Sequence, residues 1–468
     1  MGSIKKNYLY NLLYQILSLI VPLITTPYVT RILKVEGIGK FSYYFSITNY
    51  FVIFIMLGLN TYGNRCVAKF RNNKLKLSKF FLEIYISQFF MGILISILYL
   101  IFCYYFSNEI ILSSIMGIYI LAAIFDINWF FMGLEKFKLI TIRNLLIKFL
   151  STILIFIFVK NENDIILYSF ILSFCVLLNN AILWRYVLKN IYIIPIKLKN
   201  IFKHLKPNLY LFLTTIAVSI FKIMDKIMLG IMINTKEVGY YEASEKIINI
   251  PIIMIVALGT VMLPRITNML ATNDNKNTEK LMENSIKFAF FLSTSIGFGI
   301  MGISKEFVPF FYGVGYEKCI DLFLILLPSC IFLAFANVIR TQFIIPKGFD
   351  EIYVKSAFIG AGINILINII LIPKFAAIGA AIGTLFAEIG VCVYQVGRVR
   401  KYLPIKKYIV LGIPFLASGI FMFLIIYFLE FIVFSREVLI LIKILLGAII
   451  YFIFLGTQLY LIKILRRQ

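Results

Sequence analysis

Apolar runs of about twenty residues follow one another along this chain with only short polar breaks between them, and that pattern leaves few folds open. A helix needs about 20 mostly apolar residues to cross the hydrocarbon core of a bilayer, where its backbone must satisfy its own hydrogen bonds. Such runs fall at 8–33, 41–63, 82–106, 110–133, 142–160, 165–188, 207–233, 247–264, 284–304, 320–345, 354–373, 376–397, 409–429 and 438–462. The expectation is an all-α polytopic membrane protein of about 14 transmembrane helices. A mean hydropathy of +0.94 excludes a soluble protein of ordinary composition. Only 15% of residues are charged and no long polar block occurs, so no sizeable domain is expected outside the membrane.

Lysine and arginine distribution gives the orientation. With the N-terminus cytoplasmic, the inner segments carry 30 of the 46 Lys and Arg and the outer loops 10. This bias holds in one sense along the chain, as the positive-inside rule requires, and places both termini in the cytoplasm. The net charge of +24 therefore points to anionic membrane lipids as partners and not to nucleic acid. The start, MGSIKK, precedes an apolar run too long for a signal-peptide core and without a small-residue cleavage site, so 8–33 is read as the first span.

Charges inside the spans are the candidates for function, since each costs roughly 2.5–3.5 kcal/mol at bilayer depth on insertion scales. Lys222, Asp225 and Lys226 stand at i, i+3 and i+4 and share a helix face with net positive charge. They form either a buried ion pair with one snorkelling lysine or part of a polar pathway. Glu388, near the middle of its run, is the strongest candidate for a titrating carboxylate, with a structural pair to a neighbouring Lys or Arg as the alternative. Asp126 lies in the fourth run, and Trp129 beside it reads as an interfacial anchor. Lys148 and Arg340 complete the intramembrane basic set, whereas Lys287 and Lys443 read as snorkelling residues. Arg31, after Thr25-Thr26-Pro27, is either an interfacial anchor or a cavity residue.

Metal, redox and His-based chemistry find no support. The six cysteines (Cys66, Cys103, Cys175, Cys319, Cys330 and Cys392) have neither metal nor disulfide spacing and read as small core residues. The only histidine, His204, sits in a Lys-rich segment read as a loop. No cofactor motif occurs, and the outer loops are too short for the catalytic loop of a membrane-embedded glycosyltransferase or polymerase.

The chain also looks like two halves. Glu36-Gly37-Ile38-Gly39-Lys40-Phe41 resembles Lys236-Glu237-Val238-Gly239-Tyr240-Tyr241 at an offset of 200, each after a long apolar run. Halves of parallel topology are a common transporter plan. The divisions expected are 1–206 (spans 1–6 and a linker), 207–400 (spans 7–12) and 401–468 (spans 13 and 14).

Three segments carry a family resemblance. LITTPYVTRILKVEGIGKFSYYFSITNYFVIFIMLGLNTYGNRCVAKFR (23–71), DINWFFMGLEKFK (126–138) and MDKIMLGIMINTKEVGYYEASEKI (224–247), with Val261-Met262-Leu263-Pro264-Arg265 after the last, resemble the bacterial polysaccharide-unit flippases. These form the O-antigen and capsule branch of the multidrug/oligosaccharidyl-lipid/polysaccharide exporter superfamily. One departure stands out: Lys34 occupies a position where the family usually has Gly. The resemblance implies two six-helix lobes around a central cavity, alternating access and a bacterial cytoplasmic-membrane location. The implied cargo is a short oligosaccharide on polyprenyl pyrophosphate, moved from the inner to the outer leaflet, with polysaccharide polymerase machinery as a partner. Two extra C-terminal helices resemble those of the lipid-linked peptidoglycan-precursor flippases.

A pyrophosphate head needs cations at membrane depth, and Lys222, Lys226, Lys148 and Arg340, with Arg31, are the ones available. Glu388, Asp126 and Asp225 are the coupling candidates. A drug or cation antiporter of the same superfamily is the alternative, and it would need a less positive interior.

Overall fold

The structure, a computed structural model, describes residues 2–187, 189–196, 198–271, 275–429 and 435–465. Arg466 and Arg467, two of the basic residues expected at the inner C-terminal end, lie outside them. Among the described residues the chain is helical without strands, and eleven helical segments are long and apolar enough to cross a membrane. The expected spans lie on helices, and the second, fourth and tenth are each divided between two or more of them. The difference in count arises because Ile20–Phe70 counts once although it covers the first two expected spans, and because the helices at 207–233 and 247–264 are not among the eleven. The chain divides into two compact units, the first ending at Ser219 and the second beginning at Ile220.

In the first unit, α1 (Gly2–Met56) carries both initial spans, separated by a break at Lys34 with φ 55° and ψ −178°. That backbone conformation is one that essentially only glycine adopts freely. The departure at position 34 thus places a lysine on a strained corner. α2 (Leu59–Phe70) and α3 (Lys74–Phe106) follow, the latter N-capped by the Asn73 side chain, which accepts from the Lys76 amide at 3.0 Å. α4 (Ile110–Ile124) and the short α5 (Asn128–Gly133) divide the fourth expected span, and α6 (Phe137–Phe158) and α7 (Ile165–Val187) complete the set.

Trp129 on α5 is not at an interface. It is fully buried, its ring lies against Gly63 of α2, and its indole N–H donates to Gln88 Oε1 at 3.3 Å. The anchor reading fails because α2 offers a glycine there; a Cβ at position 63 would come within 2.6 Å of the indole.

α8 (Leu198–Met232) runs from the first unit into the second. Its basic beginning is helical rather than a loop, and His204 is part of it. The second unit continues with α9 (Thr235–Ala271), α10 (Asn275–Gly302), α11 (Ser304–Phe311), α12 (Lys318–Leu326) and α13 (Ser329–Ile339). A π-helical turn over Arg340–Ile344 extends α13, an irregularity that often marks functional positions. α14 (Asp350–Phe375) and α15 (Ala377–Val399) pack closely, and α16 (Ile405–Phe428) and α17 (Arg436–Leu465) end the chain. α17 is attached by polar links inside apolar surroundings: Lys443 donates to Glu306 of α11, and the hydroxyls of Tyr451 and Thr294 of α10 are 2.8 Å apart. Lys443, expected to snorkel, is instead buried in this ion pair. Five of the six cysteines are buried, all six are free thiols, and Cys66 is half-buried.

Candidate functional site

The second unit gathers the polar groups that its apolar sequence contains. Only Ile233 and Asn234 separate α8 from α9, so the chain doubles back and residues equidistant from this turn face each other. Asn234 caps the new helix, accepting from the Glu237 amide at 3.0 Å.

Asp225 on α8 is 1% exposed. Its Oδ2 accepts from the hydroxyls of Tyr241 on α9 and Thr384 on α15, both at 2.6 Å, and its Oδ1 accepts from Asn368 Nδ2 on α14 at 2.6 Å. Asn368 also donates to Asn364 Oδ1 at 3.2 Å, and the Tyr241 and Thr384 hydroxyls are 2.8 Å apart. Four helices thus meet on one carboxylate through neutral donors. Gly383 permits this meeting, since a Cβ there would lie 2.1 Å from Asn368 Oδ1.

Lys226, the next residue, points to a different set of partners. Its ammonium donates to Glu242 Oε2 and lies 2.7 Å from Glu245 Oε2, both on α9. Lys246 approaches Glu242 at 3.7 Å. The charge of Lys226 is therefore already neutralised within the protein. Lower on α9, Glu237 takes both contacts from Lys318 at 2.7 Å and accepts the Ala377 amide at 3.0 Å, at the N-terminus of α15.

Lys222 and Arg340 are placed differently. Both act electrostatically on Glu388 of α15, a carboxylate 9% exposed. Lys222 is exposed, and the Arg340 guanidinium stacks 5.2 Å from the Tyr353 ring centre. Two cations against one carboxylate leave a net positive group, with a guanidinium able to hold an oxyanion in two places. Next to Arg340, Asn337 and Gln342 are 1% and 0% exposed, and neither amide has a hydrogen-bond partner at either end among the described residues. Buried amides without partners are rare, and such groups can serve a polar ligand.

In the first unit, Asp126 accepts from the Asn128 amide at 2.8 Å and from Asn128 Nδ2 at 2.7 Å, at the start of α5. Arg143 of α6, 4% exposed, donates to Asn128 Oδ1 and Asn144 Oδ1, each at 2.7 Å. Asn179 donates to Asn144, and Asn180 to the Ala122 carbonyl, from α7. The Asn179-Asn180 pair inside an apolar run is the sequence signal for this buried polar layer. Lys148 lies one turn further along α6, half-buried, and Arg31 is exposed on α1.

Of the residues singled out from sequence, Lys222, Arg340 and Glu388 all lie in the second unit, where both cations act electrostatically on the carboxylate. Asp225 and Lys226 belong to adjoining, separately satisfied clusters. Asp126 belongs to the asparagine layer. Tyr241, Glu242, Glu245, Asn364, Asn368 and Thr384 were not anticipated.

Residues 4–270 match a family described as polysaccharide biosynthesis protein. A protein of Escherichia coli (strain K12) that carries the name O-antigen transporter is 25% identical over 393 residues, 82% of this chain and 94% of its own length. Its namesake in Shigella dysenteriae is 24% identical over 402 residues, 85% of this chain and all of its own length. Among solved structures, an inward closed form of the lipid II flippase MurJ superposes with a TM-score of 0.76 at 20% identity, covering 97% of this chain and 99% of that one. An inward-facing multidrug MATE transporter gives 0.58 at 14% identity, covering 82% and 98%. With the family match extending over more than half of its length, this chain belongs to the polysaccharide biosynthesis protein family, among the polysaccharide flippases of the multidrug/oligosaccharidyl-lipid/polysaccharide exporter superfamily.

Proposed function

We propose that the protein moves polyprenyl-pyrophosphate-linked oligosaccharide repeat units from the inner to the outer leaflet of the bacterial cytoplasmic membrane by alternating access, with both termini cytoplasmic. The observation that carries this reading is Arg340, in a π-helical turn beside the buried and unpartnered amides of Asn337 and Gln342, a cation with polar groups left to serve an anionic head. The relatives named as O-antigen transporters support the same cargo class. Membrane potential assists export of an anionic head from a negative interior, by roughly 2.3 kcal/mol per charge per 100 mV. Transport in this scheme needs no chemical step, so the protein acts as a carrier and not an enzyme.

Lys222 and Arg340 hold the pyrophosphate. Arg31 and Lys148 are candidate head-group contacts in the first unit. Lys226 is withdrawn from direct binding by its two glutamates and positions α8 against α9. Glu388 is the first candidate for proton or cation coupling, followed by Asp225 and Asp126. Anionic lipids and polysaccharide polymerase machinery complete the proposed partners.

Complementation of a strain lacking its own flippase tests this. Lys222→Ala and Arg340→Ala should each cut surface polysaccharide at least about tenfold, the effect of one lost charged contact, at unchanged protein abundance. Full complementation by both would overturn the reading. The alternative, a cation antiporter with the MATE fold, predicts uptake of cationic dyes by vesicles containing the wild-type protein and no effect of glycan precursors on that uptake.

A further inference from the structure

The second unit contains an apolar pocket of about 1160 Å³. Its walls are Phe290 of α10, Phe335 of α13, Val393 and Val396 of α15, and Leu416 of α16. Its rim is basic: Arg400, Lys401, Lys406 and Lys407. Lys407 is engaged by Glu283 and Glu279 of α10, at 2.5 and 3.2 Å. Arg400, Lys401 and Lys406 are exposed, and no acidic residue lines the pocket. The rim loop is held in place by Tyr402, whose ring lies 6.0 Å from that of Phe343 and 5.6 Å from that of Phe349.

We propose that this pocket is a binding site for an anionic membrane phospholipid, with acyl chain in the apolar slot and headgroup phosphate against Arg400, Lys401 and Lys406. The volume exceeds the roughly 300–1,000 Å³ of sites for drug-sized ligands, and a small polar metabolite would leave the apolar walls uncovered. A neutral lipid would leave three cations without a partner. Charge on the rim and apolar surface beneath it select an amphiphile with a negative head. The site adjoins the charged cluster through α15, on which Glu388, Cys392 and Val396 stand at i, i+4 and i+8, with Cys392 and Val396 in the pocket wall. An occupying lipid therefore packs against the helix that carries Glu388, one turn away from it.

Native mass spectrometry of the full-length protein, delipidated and then given phosphatidylglycerol or phosphatidylcholine, tests the assignment. Phosphatidylglycerol should be retained in preference, and the triple change Arg400→Ala, Lys401→Ala, Lys406→Ala should weaken its binding about a hundredfold, as expected for three interfacial cations. Gly397→Phe puts a ring into the slot from a wall position where an added Cβ meets nothing within 4 Å. It should reduce retention of phosphatidylglycerol while leaving the melting temperature of lipid-free protein unchanged. Equal retention of the two lipids, or phosphatidylglycerol binding unaltered in both variants, would overturn the proposal. So would displacement of phosphatidylglycerol by equimolar polyprenyl phosphate, which would make the pocket part of the cargo path. None of these readouts depends on transport, so the proposal can fail while the flippase reading stands, and the reverse.

Discussion

The ammonium of Lys226 lies 2.7 Å from Glu242, and the two residues are equally far from Asn234 at the turn between their helices. With Glu245 also at 2.7 Å, the lysine holds two carboxylates that would otherwise be desolvated together. Removing one partner of a buried pair costs about 3–5 kcal/mol, and the partial exposure of these side chains puts the expectation at the lower end, about 3 kcal/mol. Lys226→Ala should therefore lower the melting temperature and abundance of the protein, unlike Lys222→Ala. The combined change Lys226→Met, Glu242→Gln, Glu245→Gln should recover most of the lost stability, because no buried charge is left unmatched. Thermal unfolding of detergent-purified variants measures both.

Asp225 allows structure and coupling to be separated. Alanine there leaves Tyr241, Thr384 and Asn368 without their common acceptor, at about 1–3 kcal/mol for each group left unsatisfied. Asp225→Ala should fail to accumulate. Asn keeps one acceptor oxygen for Tyr241 and Thr384, removes the charge, and turns the other position into a donor that Asn368 can meet by turning its unpartnered Oδ1 toward it. Asp225→Asn should fold and reach the membrane; if Asp225 couples transport to a cation, its transport in reconstituted vesicles becomes insensitive to the cation gradient that drives the wild type.

Lys34 illustrates a case where two small effects decide a sign. Its φ of 55° with ψ near 180° costs a non-glycine residue about 1–3 kcal/mol. The side chain returns little, since its approach to Glu162 is 3.9 Å with both groups more than half exposed, a contact worth about 0–1 kcal/mol. Glycine adds an entropic cost of roughly 0.5–1 kcal/mol in the unfolded chain. Lys34→Gly should stabilise by about 1 kcal/mol, read as a higher melting temperature.

The corner at Lys34 was visible in the sequence as a family glycine replaced, and the spans were visible because a bilayer leaves helices little choice of length. The partners of the intramembrane charges were harder to see. Lys222, Asp225 and Lys226 share a helical face by spacing, yet 100° per residue separates the last two enough to send one among asparagine and hydroxyl donors and the other to glutamates. Reflection of α8 about Asn234 would have paired 226 with 242, and reflection about Ile233 would have paired 225 with 241. Trp129 was misplaced because hydropathy places a residue by depth alone and takes no account of Gly63 on a neighbouring helix. Asn364, Asn368 and Thr384 carry no charge, so nothing in their local sequence set them apart from ordinary packing residues.

His204, the only histidine, holds the first part of α8 to the first unit. Its Nδ1 lies 2.8 Å from the Tyr62 hydroxyl on α2 and its Nε2 lies 3.0 Å from Glu83 Oε2 on α3. Glu83 is buried, and its other oxygen has no partner among the described residues, so its one hydrogen bond to His204 is what offsets its desolvation. His204→Ala removes that bond and leaves a buried carboxylate, at about 2 kcal/mol. The loss should be local, because the contacts of Phe54 with Phe212 and of Tyr50 with the Ser219 carbonyl remain. Hydrogen exchange in residues 198–206 should accelerate while residues 212–232 keep their protection. His204→Ala combined with Glu83→Leu removes the buried charge as well, and should restore the melting temperature without restoring slow exchange at 198–206. Uniform acceleration along all of α8 would show that the histidine supports the whole helix and does not tether its first turns.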